Sequence, residues 1–292
     1  LMAPSLEALI DELRSDRARG ASELARRALS GLAEAAAALP AADAGALSRA
    51  LDEAARVLQQ VRPSMAPIVN LVGDWRLACS DIAGLDLAQG RHRAASRAAA
   101  LIEASRAAVA RAAEAAAELL GPDRTVITHS MSSTVVAALE RLAPRVRVIV
   151  TESRPPGEGR HLAGRLAALG IAVQFISDAQ LGLFAGRADA ALVGADTLAN
   201  DGAVINKVGT YLLALACRDR GVPFYVCCEG FKRSTLPPRD IPLEEHDPHE
   251  LAPPEAPEVH AYNIYFDVTP ARLVEAWITD RGIRYRGDDP TR

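Results

Sequence analysis

Five short apolar runs in this chain each stop at polar side chains that could do chemistry. TVITH runs into Ser130, Ser132, Ser133 and Thr134; VRVIVTE ends in Glu152, Ser153 and Arg154; AVQFIS ends in Asp178; AALVG ends in Asp196; and PFYVCC ends in Glu229. Carboxylates, hydroxyls and guanidinium groups gathered at strand ends can hold a phosphorylated ligand and move protons on it. THSMSST opens the helical pattern VVAALERL, and a helix N-terminus offers unpaired N–H groups and a positive dipole end to phosphate. A helix cap by Ser132 or Ser133 accounts for the same residues. In ESRPPGEGR, Arg154 and Arg160 flank a Pro-Gly turn, suited to bidentate phosphate contacts or, equally, to surface ion pairs.

The richest stretch is VGADTLANDGAVINKVGTY, residues 193–211. An acid after a strand is often only a turn starter, and Asp196 fits that role. It also fits a proton donor: partly desolvated at the floor of a cleft, its pKa would be pushed upward toward neutrality. Asn206 and Lys207 stand just before a helical pattern, where the ammonium could meet a phosphorylated ligand. Gly194 and Gly209 would let backbone approach closely.

The elements that must position these residues follow from periodicity. Up to about residue 120 the chain is dominated by Ala, Leu, Glu and Arg, strong helix formers. Leu6, Leu9, Ile10 and Leu13 fall at i, i+3, i+4, i+7, Leu24, Ala28, Leu29 and Leu32 form a second apolar stripe, and Leu47, Leu51, Ala55 and Leu58 a third. VRPSMAPIVN interrupts the pattern at Pro63 and Pro67. A long Ala-rich helix over roughly 85–119 closes at Gly121-Pro122. From Arg124 the five β-branched runs alternate with helical patterns, which predicts right-handed crossovers and a parallel sheet covered on both faces. The expected fold class is α/β: a helical N-terminal domain, 1–121, and a Rossmann-like domain, 122–292. Phe231 to His260 reads as an exposed excursion, and YFDVTPARLVEAWITD as a last strand and helix.

The bulk numbers exclude several classes. A net charge of -4 and a pI near 5.9 with no basic block argue against nucleic acid. No apolar run reaches the ~18 residues of a membrane span, and no secretory signal order is present, so the expected location is cytoplasmic. Leu1 precedes Met2 and is left out of the fold reasoning. Cys79, Cys217, Cys227 and Cys228 have neither CxxC spacing nor a His partner at ligand spacing. That pattern suits buried thiols better than zinc or disulfides.

VGADTLANDGAVINKVGTYLLALA followed by PFYV, THS before a helix, ESRPPGEGR, and YNIYFDVTPARLVEAWITDRGI together resemble one superfamily. It joins methylthioribose-1-phosphate isomerase, archaeal ribose-1,5-bisphosphate isomerase and the alpha, beta and delta regulatory subunits of the eukaryotic initiation factor 2B exchange complex. RSDRARGASELARRAL and RPSMAPIVNLV resemble the N-terminal signature of the latter two branches, so the likeness covers most of the chain. It implies an aldose-ketose isomerase acting on a ribose-derived 1-phosphate such as ribose 1,5-bisphosphate, with no metal or redox cofactor. The alternative it implies is a regulatory protein that binds sugar phosphate or nucleotide without turnover. A homodimer or higher homo-oligomer through the α/β domain is part of the same expectation.

The isomerases of this superfamily use an Asp and a Cys on facing sides of the sugar. Asp196 matches the acid, but Ser130 stands where the Cys would follow the strand's His. A thiol is partly ionised near neutral pH, whereas a serine hydroxyl needs a neighbouring base. His129 is adjacent in sequence but would point to the opposite face. Ser130 could therefore position water or phosphate for another base, serve a different sugar-phosphate reaction, or bind without catalysis. Cys227 or Cys228 could in principle lean into the cleft. The resemblance further implies phosphate contacts from Arg19, Gly20, Ala21 and Ser22, a second wall of Arg62 and Asn70, and completion by Arg154, Arg160, Asn206 and Lys207.

Overall fold

The computed structural model describes residues 4–17 and 19–288. The Ala-rich N-terminal sequence forms α1 (Pro4–Ser15), α2 (Ala21–Ala38), α3 (Ala44–Gln59), α4 (Ala66–Ala78) and the long α5 (Leu87–Leu120). Each predicted stripe is the buried one: Leu9, Leu13, Leu24, Leu29, Leu32, Leu47, Leu51 and Leu58 are all sealed from solvent. Asp43 caps α3 by accepting from Ala46 N–H at 2.7 Å. The chain divides into two units, Leu1–Ala107 and Ala108–Arg292. The boundary falls inside α5, ahead of Gly121, because Ala112, Ala113, Ala116 and Leu120 pack into the core of the C-terminal unit.

That unit is built from β1 (Arg124–Thr128), α6 (Ser133–Leu142), β2 (Val146–Thr151), α7 (Gly159–Ala168), β3 (Ala172–Ile176), the short α8 (Leu181–Phe184) and β4 (Ala190–Val193). It continues with β5 (Thr197–Leu198), β6 (Val204–Lys207), α9 (Thr210–Arg220), β7 (Phe224–Cys227), β8 (Phe266–Thr269), β9 (Ala276–Thr279) and β10 (Gly282–Tyr285). The main sheet runs β10-β9-β7-β4-β1-β2-β3, parallel except for β10. Strand alternation sorts its core into two layers. Val126, Val148 and Leu192 pack with Val135, Leu139, Leu162 and Leu166 of α6 and α7. Ile127, Ile149, Ala191 and Val193 pack with Leu181, Leu213 and Cys217 of α8 and α9.

From β1 the chain adds β2 and β3 on one side, and from β4 it adds β7 and β9 on the other. The strand order thus reverses between β1 and β4, where open sheets of this kind leave a crevice beyond their carboxyl ends. Ser130 and Asp196 lie just past those two ends.

Two expectations need correction, and one sheet was not expected. Strand β3 is an exposed edge, not a buried strand, with Phe175 45% exposed. No helix forms in YFDVTPARLVEAWITD; β8 is followed by a 3-10 turn at Ala271–Leu273 and then by β9, which pairs in parallel with β7. Val274, Trp277 and Ile278 imitate helical spacing, but a run this short fits either period, and the gap beside β7 decides it. A second antiparallel sheet, β5-β6-β8, had no counterpart in the sequence reading.

Candidate active site at the ends of β1 and β4

Ser130 lies one residue beyond His129 with φ 70, a left-handed conformation seldom adopted by side-chain-bearing residues. Its N–H donates to Ser153 Oγ at 2.8 Å, and Ser153 is itself left-handed with φ 58. This backbone aims Ser130 Oγ at Glu158, to whose Oε1 it donates at 2.9 Å. Lys207 Nζ stands 3.3 Å from the same Oε1, donates to Pro155 O at 3.0 Å, and lies 4.1 Å from the centre of the Tyr265 ring. Glu158 Oε2 is buried and, among the described residues, has no hydrogen-bond partner. Burial raises the Glu158 carboxyl above the ordinary carboxylate value, while Lys207 and Ser130 pull the other way. A carboxyl raised by burial, with one oxygen committed and the other without a partner among the described residues, has the make-up of a general base.

The loop is held from beneath by a polar chain. His129 is buried; its Nε2–H donates to Val208 O at 2.8 Å, because a carbonyl can only accept, which leaves Nδ1 to accept from the Thr151 hydroxyl at 2.6 Å. Burial lowers the His129 pKa, so the ring is neutral at pH 7. Both ring nitrogens are engaged away from Ser130, as the alternation of a strand predicts. The Asp178 carboxylate accepts from the N–H groups of Ser153 at 2.8 Å and Arg154 at 2.7 Å, fixing the turn after β2. Gly209, with φ 104, sits where a Cβ would stand 2.8 Å from the His129 ring. Its freedom is therefore spent on packing against the histidine.

Asp196 follows β4 and is half-buried, its N–H donating to Ile205 O at 2.9 Å. Gly194 just before it faces Ser132, whose Oγ would lie 2.5 Å from a Cβ there. Ser132 is the N-cap of α6, its Oγ accepting from Val135 N–H at 3.4 Å. Near Asp196 lie two buried charges, Glu229 at the end of β7 and Lys232 in the following 3-10 turn. Burial works to lower the Lys232 pKa, but Glu229, Asp196 and the neighbouring thiols together hold it above the ordinary lysine value. Thr134 Oγ1 donates to Glu229 Oε2 at 3.2 Å.

Neither cysteine at the end of β7 substitutes for the missing thiol. Cys227 is wholly buried with Sγ donating to Ala112 O at 3.5 Å, and Cys228 packs into the opposite core layer. Burial pushes the Cys228 thiol up to about 12, and Cys227 well above its usual value.

The other sequence candidates divide. Asn206 is buried on β6, its Nδ2 donating to Thr210 Oγ1 at 3.0 Å, one residue from Lys207. Arg154 and Arg160 are exposed; Arg160 lies 5.8 Å from the Phe175 ring and Arg154 reaches Glu250 O at 3.5 Å. In the N-terminal unit, Arg19 is bound by Glu12 at 2.6 Å and Asp16 at 2.7 Å. Gly20 is the N-cap of α2, and Ala21 and Ser22 are buried in its first turn. Arg62 is buried and donates to the carbonyls of Leu13 at 3.3 Å and Asp16 at 3.2 Å, satisfying the end of α1. Asn70 is half-buried on α4.

Residue reading overlooked Glu158 and Lys232, and with them Tyr265, which faces Lys207 while its hydroxyl donates to Glu250 Oε2. Asp267 in FDVTP was overlooked too: it accepts from Gly209 N–H at 2.7 Å and Tyr211 N–H at 3.1 Å, capping α9. Among the described residues no group of three or more His, Cys, Asp or Glu is arranged to hold a metal ion, and no helix is long and apolar enough to cross a membrane.

The chain as a whole, with its helical N-terminal unit and its parallel sheet, is similar to known proteins. A model of the initiation factor 2 subunit family matches residues 17–285. The chain belongs to that family. A Pyrococcus horikoshii protein named as translation initiation factor eIF-2B subunit 2-like is 38% identical over 280 residues, covering 94% of each chain. A ribose 1,5-bisphosphate isomerase of Archaeoglobus fulgidus is 32% identical over 279 residues, covering 93% of this chain and 87% of its own. The crystal structure of the Pyrococcus horikoshii translation initiation factor eIF-2B superposes with a TM-score of 0.86 at 35% identity, covering 98% of both chains. Within the initiation factor 2 subunit family, then, this chain is similar both to proteins named as isomerases and to proteins named as initiation factors.

Proposed function

We propose that this chain is an aldose-ketose isomerase of a ribose-derived sugar 1-phosphate, such as ribose 1,5-bisphosphate, with Asp196 and Glu158 as its acid and base. The observation that carries the reading is the Ser130 hydroxyl donating to Glu158 Oε1 at 2.9 Å while Oε2 stays buried and unpartnered. A serine cannot replace a thiolate by itself, but it can hold a carboxylate in place.

A phosphate on the anomeric carbon blocks spontaneous ring opening. Asp196 donates its proton to the ring oxygen as Glu158 takes the proton from C2. The C1–O bond to the ring oxygen breaks and the C2–H electrons form a C1=C2 double bond. The resulting enol then passes its hydroxyl proton to Asp196, and Glu158 returns its proton to C1, leaving a 2-ketose 1-phosphate and both carboxyls restored. Lys207 and Lys232 supply positive charge for the phosphate-bearing substrate. Asn206 steadies the turn that carries Lys207. A homo-oligomer, cytoplasmic location and independence from metal or redox cofactors belong to the same reading.

A second reading, a regulatory protein that binds sugar phosphate or nucleotide without turnover, is favoured by Ser130 in the place of the isomerases' cysteine. Incubation with ribose 1,5-bisphosphate, methylthioribose 1-phosphate and ribose 1-phosphate, followed by NMR for ketose formation, separates the two. Turnover of one substrate, lost about 10²–10⁴-fold in Asp196→Asn, is expected. Tight binding of one compound without turnover of any sinks the enzyme reading.

A further inference from the structure

A cavity of about 440 Å³ opens at the tip of the β5–β6 hairpin, away from its charged base. Asn200 and Gly202 of the turn line it together with Arg233, Ser234, Thr235 and Arg284. The volume suits a small molecule. Its walls carry two guanidinium groups, two hydroxyls and an amide, and among the described lining residues there is no carboxylate.

Arg284 is the decisive wall. It pairs with Trp277 across β9 and β10, and its guanidinium carbon lies 4.5 Å from the centre of the indole. Stacking on an aromatic face fixes the plane of the fork. Its Nε is buried and has no hydrogen-bond partner among the described residues. Nη2 reaches the turn, 3.4 Å from where a Cβ on Gly202 would stand. Trp277 is in turn anchored to the same turn, its Nε1–H donating to Gly202 O at 3.0 Å. Ser234 Oγ accepts from Leu236 N–H at 3.1 Å, which leaves its own proton for an acceptor. A desolvated N–H on a fixed cation is costly unless an anion completes it.

We propose that this cavity binds a small phosphate-bearing anion, with Arg284 and Arg233 on the phosphate oxygens and the hydroxyls of Ser234 and Thr235 at its rim. The site is separate from the one at the ends of β1 and β4. Its lining shares no residue with that site, although Arg233 directly follows Lys232 in the chain. The hairpin nevertheless joins them, since β5 starts directly after Asp196 and β6 ends at Lys207. An anion that ties Arg284 to the turn would stiffen the segment carrying both residues. The binding proposal does not depend on the isomerase reading.

The chain has two tryptophans, and the other, Trp75, donates its indole N–H to Ala94 O in the N-terminal unit. Inorganic pyrophosphate is titrated into the full chain while both indole ¹⁵N–H resonances are followed, with sodium chloride at matched ionic strength as control. A saturable shift of the Trp277 resonance, with Trp75 unmoved, is expected. Arg284→Met should weaken the apparent affinity tenfold or more. Thr235→Val and Arg233→Met, on exposed positions that leave the indole contact intact, should weaken it several-fold. A Trp277 signal that ignores pyrophosphate, responds equally to chloride, or responds alike in wild type and all three variants overturns the proposal.

Discussion

Two buried pairs of a glutamate and a lysine flank the point where the strand order reverses, and their chemistry differs. On the β1 side, Glu158 and Lys207 stand 3.3 Å apart, the carboxyl is raised by burial, and one of its oxygens is unpartnered among the described residues. On the β4 side, Glu229 and Lys232 are coupled with Asp196 close enough to add its charge, and the lysine is the group held firmly ionised. The same two residue types thus give a carboxyl drawn toward neutrality in one place and a fixed cation in the other. At Lys232 the carboxylates outweigh burial, Glu229 first and Asp196 adding to it, whereas at Glu158 burial leads, with Lys207 and the Ser130 hydroxyl opposing it.

The sharpest way to break this comparison is Glu158→Gln. If Glu158 is the base, kcat falls by about 10²–10⁴ and the acid limb of the kcat/KM profile, which lies above the ordinary carboxylate range, disappears. A purely structural Glu158 would change the melting temperature and leave the profile intact. Next in size is Lys207→Met, which strands the Glu158 carboxyl in a buried site and should cost about 3–5 kcal/mol at pH 8 by urea denaturation. At pH 5 the loss should be smaller, because Glu158 can then be protonated; equal losses at both pH values would mean the pair is not an ion pair.

Asp267 tests whether a raised carboxyl can serve structure alone. Burial lifts it from 3.8 to about 6, against the N–H groups it accepts from. Between those values the folded protein binds more protons than the unfolded chain, so stability declines as pH rises through the window and is level above it. At ~1.4 kcal/mol per unit the slope amounts to ~3 kcal/mol, and Asp267→Asn should flatten it in denaturation curves at pH 4 and 7. The smallest effect is expected from Ser130→Cys, whose thiol is a weaker donor to Glu158 and should lower isomerisation a few-fold; a raised rate would show that a thiolate at this position takes the proton in place of Glu158.

Much of this was legible in the residues. The five strands were marked by β-branched runs between helical patterns; Ser130 and Asp196 were visible because they follow such runs, and Asn206 and Lys207 because they precede a helical pattern. Glu158 was hidden because it sits in a Pro-Gly turn, where a charged residue ordinarily meets water; its partners, Ser130 and Lys207, come from distant parts of the chain. Lys232 was hidden for the same reason, at the start of a stretch rich in charge and proline. The β5–β6 hairpin escaped because two-residue and four-residue strands are too short for alternation to register. For Arg19 and Arg62 the residue types were informative but silent about partners, and those are helix carbonyls and neighbouring acids.

Gly209 and His129 lie so close that a side chain at 209 has no room while the imidazole is in place. A lineage that gained any side chain at 209 would first have to surrender the imidazole, and with it the anchor from Thr151 to Val208. Across related sequences a larger residue at 209 should therefore not be found opposite an unmoved histidine, while a smaller residue at 129 can stand opposite glycine. A homologue that keeps the histidine opposite a larger residue must have moved the start of α9.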